Sequence, residues 1–254
     1  MCLILFALHH HPHYPLVLAA NRDEFYSRPA RAAGYWPEHP QLLAGQDLTA
    51  GGTWLGITRQ GRFAALTNVR EPEQPPPPDA LSRGQLVRDY LLGESTAPDY
   101  LAALPMSRFP GFNLLCGSVD ALHYASNRHS GRQALPAGLH GISNGGLNEP
   151  WPKVEEGKAE LAALLQSPRL QPGHLLPVLN HRQPAADARL PDTGVGLERE
   201  RILSSRFIHD PGFDYGTRAS TVVLVDPEHR VQFVEWTWDR QGQPAGQVEY
   251  QFRL

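Results

Sequence analysis

Two short apolar runs at the start of the chain constrain the fold more than any other feature of the sequence. Residues 2–8 and 16–20 have strand character, and the segment between them contains four histidines and two prolines. Two strands joined by a short turn pair as an antiparallel hairpin. The end of the second strand then lies beside the beginning of the first. Arg22 and Asp23 are therefore predicted to flank Cys2.

Cys2 occupies a chemically special position. Removal of Met1 would leave a terminal cysteine that carries both a thiol and a free α-amine. An unperturbed thiol has a pKa of about 8.5 and an α-amine one of about 8. The amine can therefore accept the thiol proton, which predicts a nucleophile that needs no histidine. The alternative interpretation is that Cys2 fills a buried strand, as free cysteines often do.

The four polar residues 21–24, Asn-Arg-Asp-Glu, end the second apolar run. A guanidinium beside Cys2 would favour the thiolate, and a carboxylate could hold or orient the α-amine. This pattern predicts a site in which Arg22 and Asp23 tune the thiol and the α-amine of Cys2. The alternative is a helix start, because Asn21 with Glu24 three residues later is typical of a capping box.

Several further motifs occur in a characteristic order along the chain. They are Met1-Cys2, Asn21-Arg22-Asp23-Glu24, Gly51-Gly52-Thr53-Trp54-Leu55-Gly56, Thr67-Asn68, Gly111-Phe112-Asn113, Ser143-Asn144 and Thr217-Arg218-Ala219-Ser220-Thr221. Together they resemble the NRDE family, also called the transport and Golgi organisation family. The resemblance extends from residue 1 to about residue 225.

The resemblance implies an α+β fold of the N-terminal-nucleophile hydrolase type. This fold is a four-layer αββα sandwich of two antiparallel sheets flanked by helices, here expected as one domain over residues 1–254. Two functions are implied. The first is hydrolysis of an amide or thioester by Cys2, which requires no cofactor. The second is non-catalytic binding or trafficking of haem, or binding of acyl-coenzyme A or lipid, in the same cleft.

Hydrolysis also requires donors for the negative charge that develops on the carbonyl oxygen. The resemblance implies that Asn144 supports this oxyanion, that Asn68 positions the substrate and that Arg218 lies near the nucleophile. For the two asparagines the alternative is a turn residue. For Arg218 the alternative is a strand-end arginine paired with Asp214 or Asp226.

Other side chains are candidates for contact with the substrate. Asn21 and Glu24 belong to the tetrapeptide that carries the predicted site, so they are assigned to substrate binding with Asn68. Trp54, with Trp36, Tyr35 and Phe25, could give the cleft an aromatic wall. Core packing is the commoner fate of aromatic residues.

Composition excludes some classes of partner. The formal net charge is −3, so the chain offers no basic footprint for nucleic acid. Two cysteines, Cys2 and Cys116, indicate a reducing compartment, and Cys116 is predicted to be a buried, inert thiol. The first apolar run is not preceded by Lys or Arg, and no run approaches the ~18 apolar residues that span a bilayer. A cytoplasmic protein without membrane insertion is expected, acting on a small molecule.

Four histidines, His9, His10, His11 and His13, crowd the first turn and invite a metal or haem hypothesis. No CxxC, HExxH or CxxCH motif accompanies them. A solvated hairpin tip is the alternative, and the sequence assigns no metal ligand.

The remaining periodicity predicts strands, then helices, then strands, an order that favours α+β over a parallel sheet. Strands are predicted at 53–59, 62–68, 112–119, 122–127, 139–143, 219–226, 231–238 and 248–254. Helices are predicted at 81–92, 100–104 and 155–165, with a short helical turn at 174–179 and a loop-to-helix segment at 197–208. Residues 30–47 and 69–80 are predicted to be loops.

Overall fold

The predicted amino-terminal hairpin forms, and its second strand is longer than the apolar pattern indicated. The computed structural model describes residues 2–129 and 131–254, without the side chain of Cys2. In it β1 (Cys2–Leu8) pairs antiparallel with β2 (Leu16–Phe25). Residues 21–24 continue β2 because the chain pairs there with a further strand on its other side. The capping-box interpretation of Asn21 and Glu24 is therefore wrong.

The first sheet surrounds this hairpin. Its strand order is β10-β1-β2-β12-β13-β14, with β11 beside β12. The additional members are β10 (Gly138–Ile142), β11 (His209–Asp210), β12 (Tyr215–Val225), β13 (Arg230–Trp238) and β14 (Pro244–Arg253). Because β2 lies between β1 and β12, its polar end is held on both sides by backbone pairing.

The second sheet is an antiparallel meander in sequence order. Its strands are β3 (Ala30–Trp36), β4 (His39–Asp47), β5 (Leu55–Thr58), β6 (Arg62–Asn68), β7 (Phe112–Ser118), β8 (Ala121–Ser126) and β9 (Arg132–Ala134). The prediction of a loop at 30–47 is wrong, because β3 and β4 form a hairpin there. Pro40 lies near the start of β4, where a proline is tolerated, and the bulged edge strand β3 obscures the alternation.

Helices cover the outer face of each sheet. The covering helices are α1 (Arg83–Leu92), α2 (Ala97–Ala103), α3 (Pro152–Leu164) and α4 (Pro172–Leu179). A fifth helix, α5 (Leu197–Ser204), packs in a separate small cluster with Ile208 and Tyr215. The helix α3 begins three residues before the predicted start, because Pro152 occupies its first turn, where the missing N–H has no intrahelical partner in any case. Among the described residues, none of the helices is long and apolar enough to cross a membrane.

Three apolar layers hold the sandwich together. Phe6, Leu18, Phe63 and Phe233 belong to the core between the two sheets. A second cluster packs α1 and α2 on the meander, and a third packs α3 and α4 on the first sheet. The predicted α+β fold with four layers, αββα, is confirmed.

Candidate active site

Strand register brings the beginning of the chain beside the polar end of β2. Cys2 lies directly opposite Arg22 in the β1–β2 pair. Directly opposite residues of an antiparallel pair have Cα atoms about 4.5–5.5 Å apart. On its other side β2 pairs with β12, with Asp23 opposite Thr217 and Arg22 opposite Ala219. The backbone of Cys2 thus adjoins Arg22, whereas its side chain lies outside the part of the chain that is described.

A cleft of about 310 Å³ opens at these strand ends. Five of the residues predicted from the sequence line it, namely Arg22, Asp23, Glu24, Trp54 and Asn68. Other parts of the wall come from the first turn of α1 and from Arg28 and Asp47. The structure therefore gathers these five candidates around one cavity.

Two glycines set the shape of this cleft. A Cβ at Gly45 would lie 2.3 Å from the ring of Trp54, so the absence of a side chain there makes room for the indole. A Cβ at Gly52 would lie 2.5 Å from the backbone of Gly84, which allows the start of α1 to approach the cleft closely. Thr53 N donates a hydrogen bond to the Gly84 carbonyl at that contact, 3.2 Å long.

Arg22 is a buried cation beside the cleft. Its side chain is 5% exposed, and Nη2 lies 3.7 Å from the Glu24 carboxylate. The guanidinium carbon lies 4.3 Å from the centroid of the Trp54 ring, a cation–π contact. Nη1 has no hydrogen-bond partner among the described residues. A buried donor of this kind favours an anionic or carbonyl oxygen in the cleft.

Asp23 is held by a neighbouring strand. The Thr217 hydroxyl donates a 2.7 Å hydrogen bond to Asp23 Oδ1. Burial raises the pKa of the Asp23 carboxyl above its usual value, and the positive charge of Lys153 and the Thr217 bond act in the opposite direction. A carboxyl whose pKa is raised in a cleft is a typical feature of functional sites.

Asn21 faces away from the cleft. Its Nδ2 donates hydrogen bonds to the carbonyls of Leu179 and Arg206, at 2.9 and 2.7 Å. Its Oδ1 accepts a hydrogen bond from Ser220. These contacts join β2 to the end of α4, to the segment after α5 and to β12. The substrate-binding role predicted for Asn21 has no geometric support in this arrangement, in which the side chain anchors the first sheet.

The two other asparagines are linked to each other. Asn144 is buried, and its Nδ2 donates a 2.8 Å hydrogen bond to the backbone carbonyl of Asn68. An amide nitrogen has two N–H donors, so one remains for an oxyanion. Asn68 lines the cleft at the end of β6. Asn144 thus reaches the cleft wall through Asn68. The oxyanion role of Asn144 and the substrate-positioning role of Asn68 stay predictions.

Arg218 occupies the bulge of β12, between the pairs formed by Thr217 and Ala219. Its Nη1 donates to the carbonyls of Phe25 and Arg28, at 3.0 and 3.3 Å, and also to that of Tyr26. Burial lowers the pKa of Arg218, and the positive charge of Arg22 lowers it further. Arg218 therefore holds the turn that follows β2. It is not paired through a salt bridge with Asp214 or Asp226, which pair with Arg240 and Arg230.

Sequence reasoning missed two basic residues behind the cleft. Lys153, at the start of α3, is 2% exposed and its charge acts on Asp23. Arg70 lies 2.5 Å from the Glu200 carboxylate, contacts the Trp151 ring at 4.8 Å, and donates from its backbone N to the Asn144 carbonyl. Both reach the site by tertiary packing, and no local motif marks them.

The histidine turn lies at the far end of β1 from Cys2. A seven-residue strand is about 20 Å long, so the turn is remote from the cleft. The rings of His9 and His11 each lie within hydrogen-bond distance of a backbone carbonyl, that of Asp120 and of Ser167. Among the described residues, no group of three His, Cys, Asp or Glu side chains is arranged to hold a metal ion.

Cys116 is fully buried on β7. Burial raises the pKa of its thiol to about 12. The thiol is therefore protonated at neutral pH and chemically inert, as the sequence predicted.

The fold is of the N-terminal-nucleophile hydrolase type. The chain superposes on the Caenorhabditis elegans ortholog of N-acylethanolamine-hydrolyzing acid amidase with a TM-score of 0.52 at 13% identity. That alignment covers 88% of this chain and 92% of the other. At this identity the likeness concerns the fold alone.

The chain belongs to the Transport and Golgi organisation 2 family, whose family model matches residues 1–240. The Bos taurus homolog is 37% identical over 262 residues, covering 92% of each chain. The Drosophila melanogaster protein is 30% identical over 268 residues, covering 93% of this chain and 92% of its own length. The resemblance carried by the sequence motifs is confirmed.

Proposed function

We propose that the protein is a hydrolase of an amide or thioester bond in which Cys2, freed of Met1, is the nucleophile. The observation that carries the proposal is the β1–β2 register, with Cys2 directly opposite Arg22 at a cleft that Asp23 and Asn68 also line. The C. elegans protein of the same fold is named for amide hydrolysis, which supports the same class of bond here.

The chemistry follows from the groups at this position. The α-amine of Cys2 takes the thiol proton, and the thiolate attacks the substrate carbonyl carbon. The Asn144 amide donates to the resulting oxyanion. Collapse breaks the C–N or C–S bond, and the α-ammonium returns its proton to the leaving group. Water, deprotonated by the same amine, then cleaves the acyl thioester and releases a carboxylic acid and the free thiol.

Arg22 and Asp23 have separate tasks in this scheme. The Arg22 guanidinium favours the thiolate of Cys2 by charge attraction. The Asp23 carboxyl, held by Thr217, orients the α-amine. Arg218 holds the turn after β2 and thereby positions the end of that strand.

A second proposal is non-catalytic binding or trafficking of haem, or binding of acyl-coenzyme A or lipid, in the same cleft. It is supported by the buried Arg22, whose Nη1 has no hydrogen-bond partner in the described part of the chain. Arg28 and Arg83 line the cleft as well. A guanidinium pairs well with a carboxylate or phosphate, such as a haem propionate or a coenzyme A phosphate.

The Cys2→Ala variant separates the two proposals. Purified protein is screened with acyl amides and acyl-coenzyme A thioesters, and titrated with haem while the Soret band is followed. Hydrolysis requires a mature mass lower by one methionine residue and turnover that disappears in Cys2→Ala. A Soret shift or thioester binding that persists in Cys2→Ala, with no turnover by either protein, would overturn hydrolysis and support binding.

A further inference from the structure

A second compartment adjoins the cleft. Its volume is about 360 Å³, and four residues line both cavities, namely Glu24, Arg28, Asn68 and Arg83. The residues that line only the second compartment are Phe25, Val195, Arg199, Ile202, Leu203, Asp210, Phe213 and Tyr215. The two cavities are therefore adjacent.

One part of the wall of the second compartment is apolar. Phe25 and Phe213 are 42% and 44% exposed, among the most exposed large apolar side chains described. Their ring centroids lie 5.9 Å apart, and Tyr215 contacts Phe25 edge-on at 5.3 Å. Ile202 adds an aliphatic surface from α5. Adjacent exposed aromatic rings in a concave site are typical of surfaces that bind an apolar group.

The rim of the compartment carries a cation, Arg199. The Arg199 guanidinium carbon lies 3.7 Å from the centroid of the Phe213 ring. Within residues 2–129 and 131–254 no carboxylate forms a salt bridge with it, whereas Arg28 is paired with Asp47 at 2.6 Å. The Asp210 carboxylate also lines the compartment, but it accepts a hydrogen bond from the Phe213 backbone N. Three arginines, Arg28, Arg83 and Arg199, line the compartment with two carboxylates, Glu24 and Asp210, so the charge of its lining is net positive.

The wall that carries Arg199 is anchored. Glu200, the next residue on α5, is 3% exposed and lies 2.5 Å from Arg70. Its carboxylate also accepts hydrogen bonds from the backbone N and the hydroxyl of Thr193. Because Arg70 is bonded to the Asn144 backbone, α5 is tied to the cleft. The apolar wall is thus a fixed part of the site.

We infer that this compartment is a subsite for an amphipathic anion, whose apolar segment packs against Phe25, Phe213 and Ile202 and whose carboxylate or phosphate pairs with Arg199. The inference deepens the proposed function and rests on it only for the claim that such a molecule is the substrate. Binding to the compartment requires no chemistry at Cys2.

Calorimetric titration of the full chain with short amphiphiles tests the inference. The probes are octanoate, octyl phosphate, octyltrimethylammonium and butanoate, each below its micellar concentration. Both octyl anions should bind more tightly than the octyl cation and than butanoate. The comparison between octanoate and octyl phosphate identifies which anionic group is preferred. Equal affinity for the octyl cation and the octyl anions would overturn the inference.

Two variants and two matched controls locate the site. Arg199→Gln should weaken the octyl anions about fivefold, the upper range for an exposed ion pair, and leave the octyl cation unchanged. Phe213→Ala should weaken all octyl probes about tenfold or more. Arg201→Gln and Leu197→Ala, also on α5 but outside the compartment, should bind as the unmodified chain does. Unchanged binding in Arg199→Gln and Phe213→Ala would refute the subsite.

The same titration in Cys2→Ala keeps the two proposals apart. Retained binding together with absent turnover in the unmodified protein would refute hydrolysis alone. Turnover that depends on Cys2, without any binding of the octyl anions, would refute the subsite alone.

Discussion

Thr217 and Asp23 are joined across two strands by a hydrogen bond of 2.7 Å from the threonine hydroxyl to the carboxylate. The same hydroxyl accepts a hydrogen bond from the backbone N of Ile208, 2.9 Å long. A single buried side chain thus satisfies a carboxylate and a backbone donor. It fixes the end of β2 against β12 beside the backbone of Cys2.

Thr217→Val should therefore destabilise the protein. The substitution keeps the shape of the side chain but leaves Asp23 Oδ1 and the Ile208 N–H without this partner, and we expect a loss of about 2–4 kcal/mol. Urea unfolding measures it. Thr217→Ser, which keeps the hydroxyl, should restore most of the loss, and Thr237→Val on β13 is a control. Equal stability of the Val and Ser variants would contradict the assigned bonds.

Arg22→Gln should raise the apparent pKa of Cys2. Removal of the guanidinium takes away a charge that favours the thiolate, and we expect a rise of about one pKa unit. The pH dependence of alkylation by iodoacetamide reports this value without any substrate. Cys116 does not interfere, because burial raises its pKa to about 12. Arg253→Gln, on exposed β14, should leave the alkylation profile unchanged, and an equal effect of both substitutions would argue against a local role for Arg22.

Glu235 should make stability depend on pH. Burial between the sheets raises its pKa to about 7, while hydrogen bonds from Ala33 N and Thr221 lower it. The folded chain then holds the proton more tightly than the unfolded chain, whose value is near 4.5. The free energy of unfolding should therefore fall as the pH rises through this window, by about 3 kcal/mol.

Glu235→Gln should remove most of this dependence. Urea unfolding of both proteins between pH 4 and pH 8 measures the effect, and Glu249→Gln, on the outer strand β14, serves as the control. Parallel stability profiles for the unmodified chain and Glu235→Gln would show that Glu235 does not titrate in this range.

Arg70→Met should be strongly destabilising. The substitution leaves Glu200 buried without its ion-pair partner, and the expected loss is about 3–5 kcal/mol. The double variant Arg70→Met with Glu200→Leu should lose less than the sum of the single variants, because it removes both charges. Arg201→Met, which breaks an exposed pair with Asp187, should change stability by about 1 kcal/mol or less. Additive losses in the double variant would mean that the pair is not coupled.

Local patterns in the sequence predicted the parts of the fold that depend on neighbouring residues. The two apolar runs and the short turn between them predicted the β1–β2 hairpin and placed Arg22 beside Cys2, as the structure has it. The same approach failed at 30–47, because Gly34, Pro37 and Pro40 resemble loop residues when the sheet that pairs with them is not known. Tertiary pairing, which no single segment encodes, turns this segment into β3 and β4.

The candidate site was predictable where a motif marks it. Arg22, Asp23, Glu24, Trp54 and Asn68 line the cleft, and each belongs to a motif quoted from the sequence. Lys153 and Arg70 could not be found in this way, since each is an ordinary charged residue until folding buries it. Asn21 is a different case. It lies in the motif, but its side chain is directed to the other face of the sheet.

The bulge at Arg218 shifts the alternation of inward and outward side chains along β12. Thr217 and Ala219 would share one face of a regular strand, yet they pair with the consecutive residues Asp23 and Arg22, which point to opposite faces. Losing one residue here would exchange inward and outward side chains along one part of the strand. The length of β12 at this point is therefore constrained separately from the hydrogen bonds that the Arg218 side chain makes, and relatives should avoid insertions and deletions there.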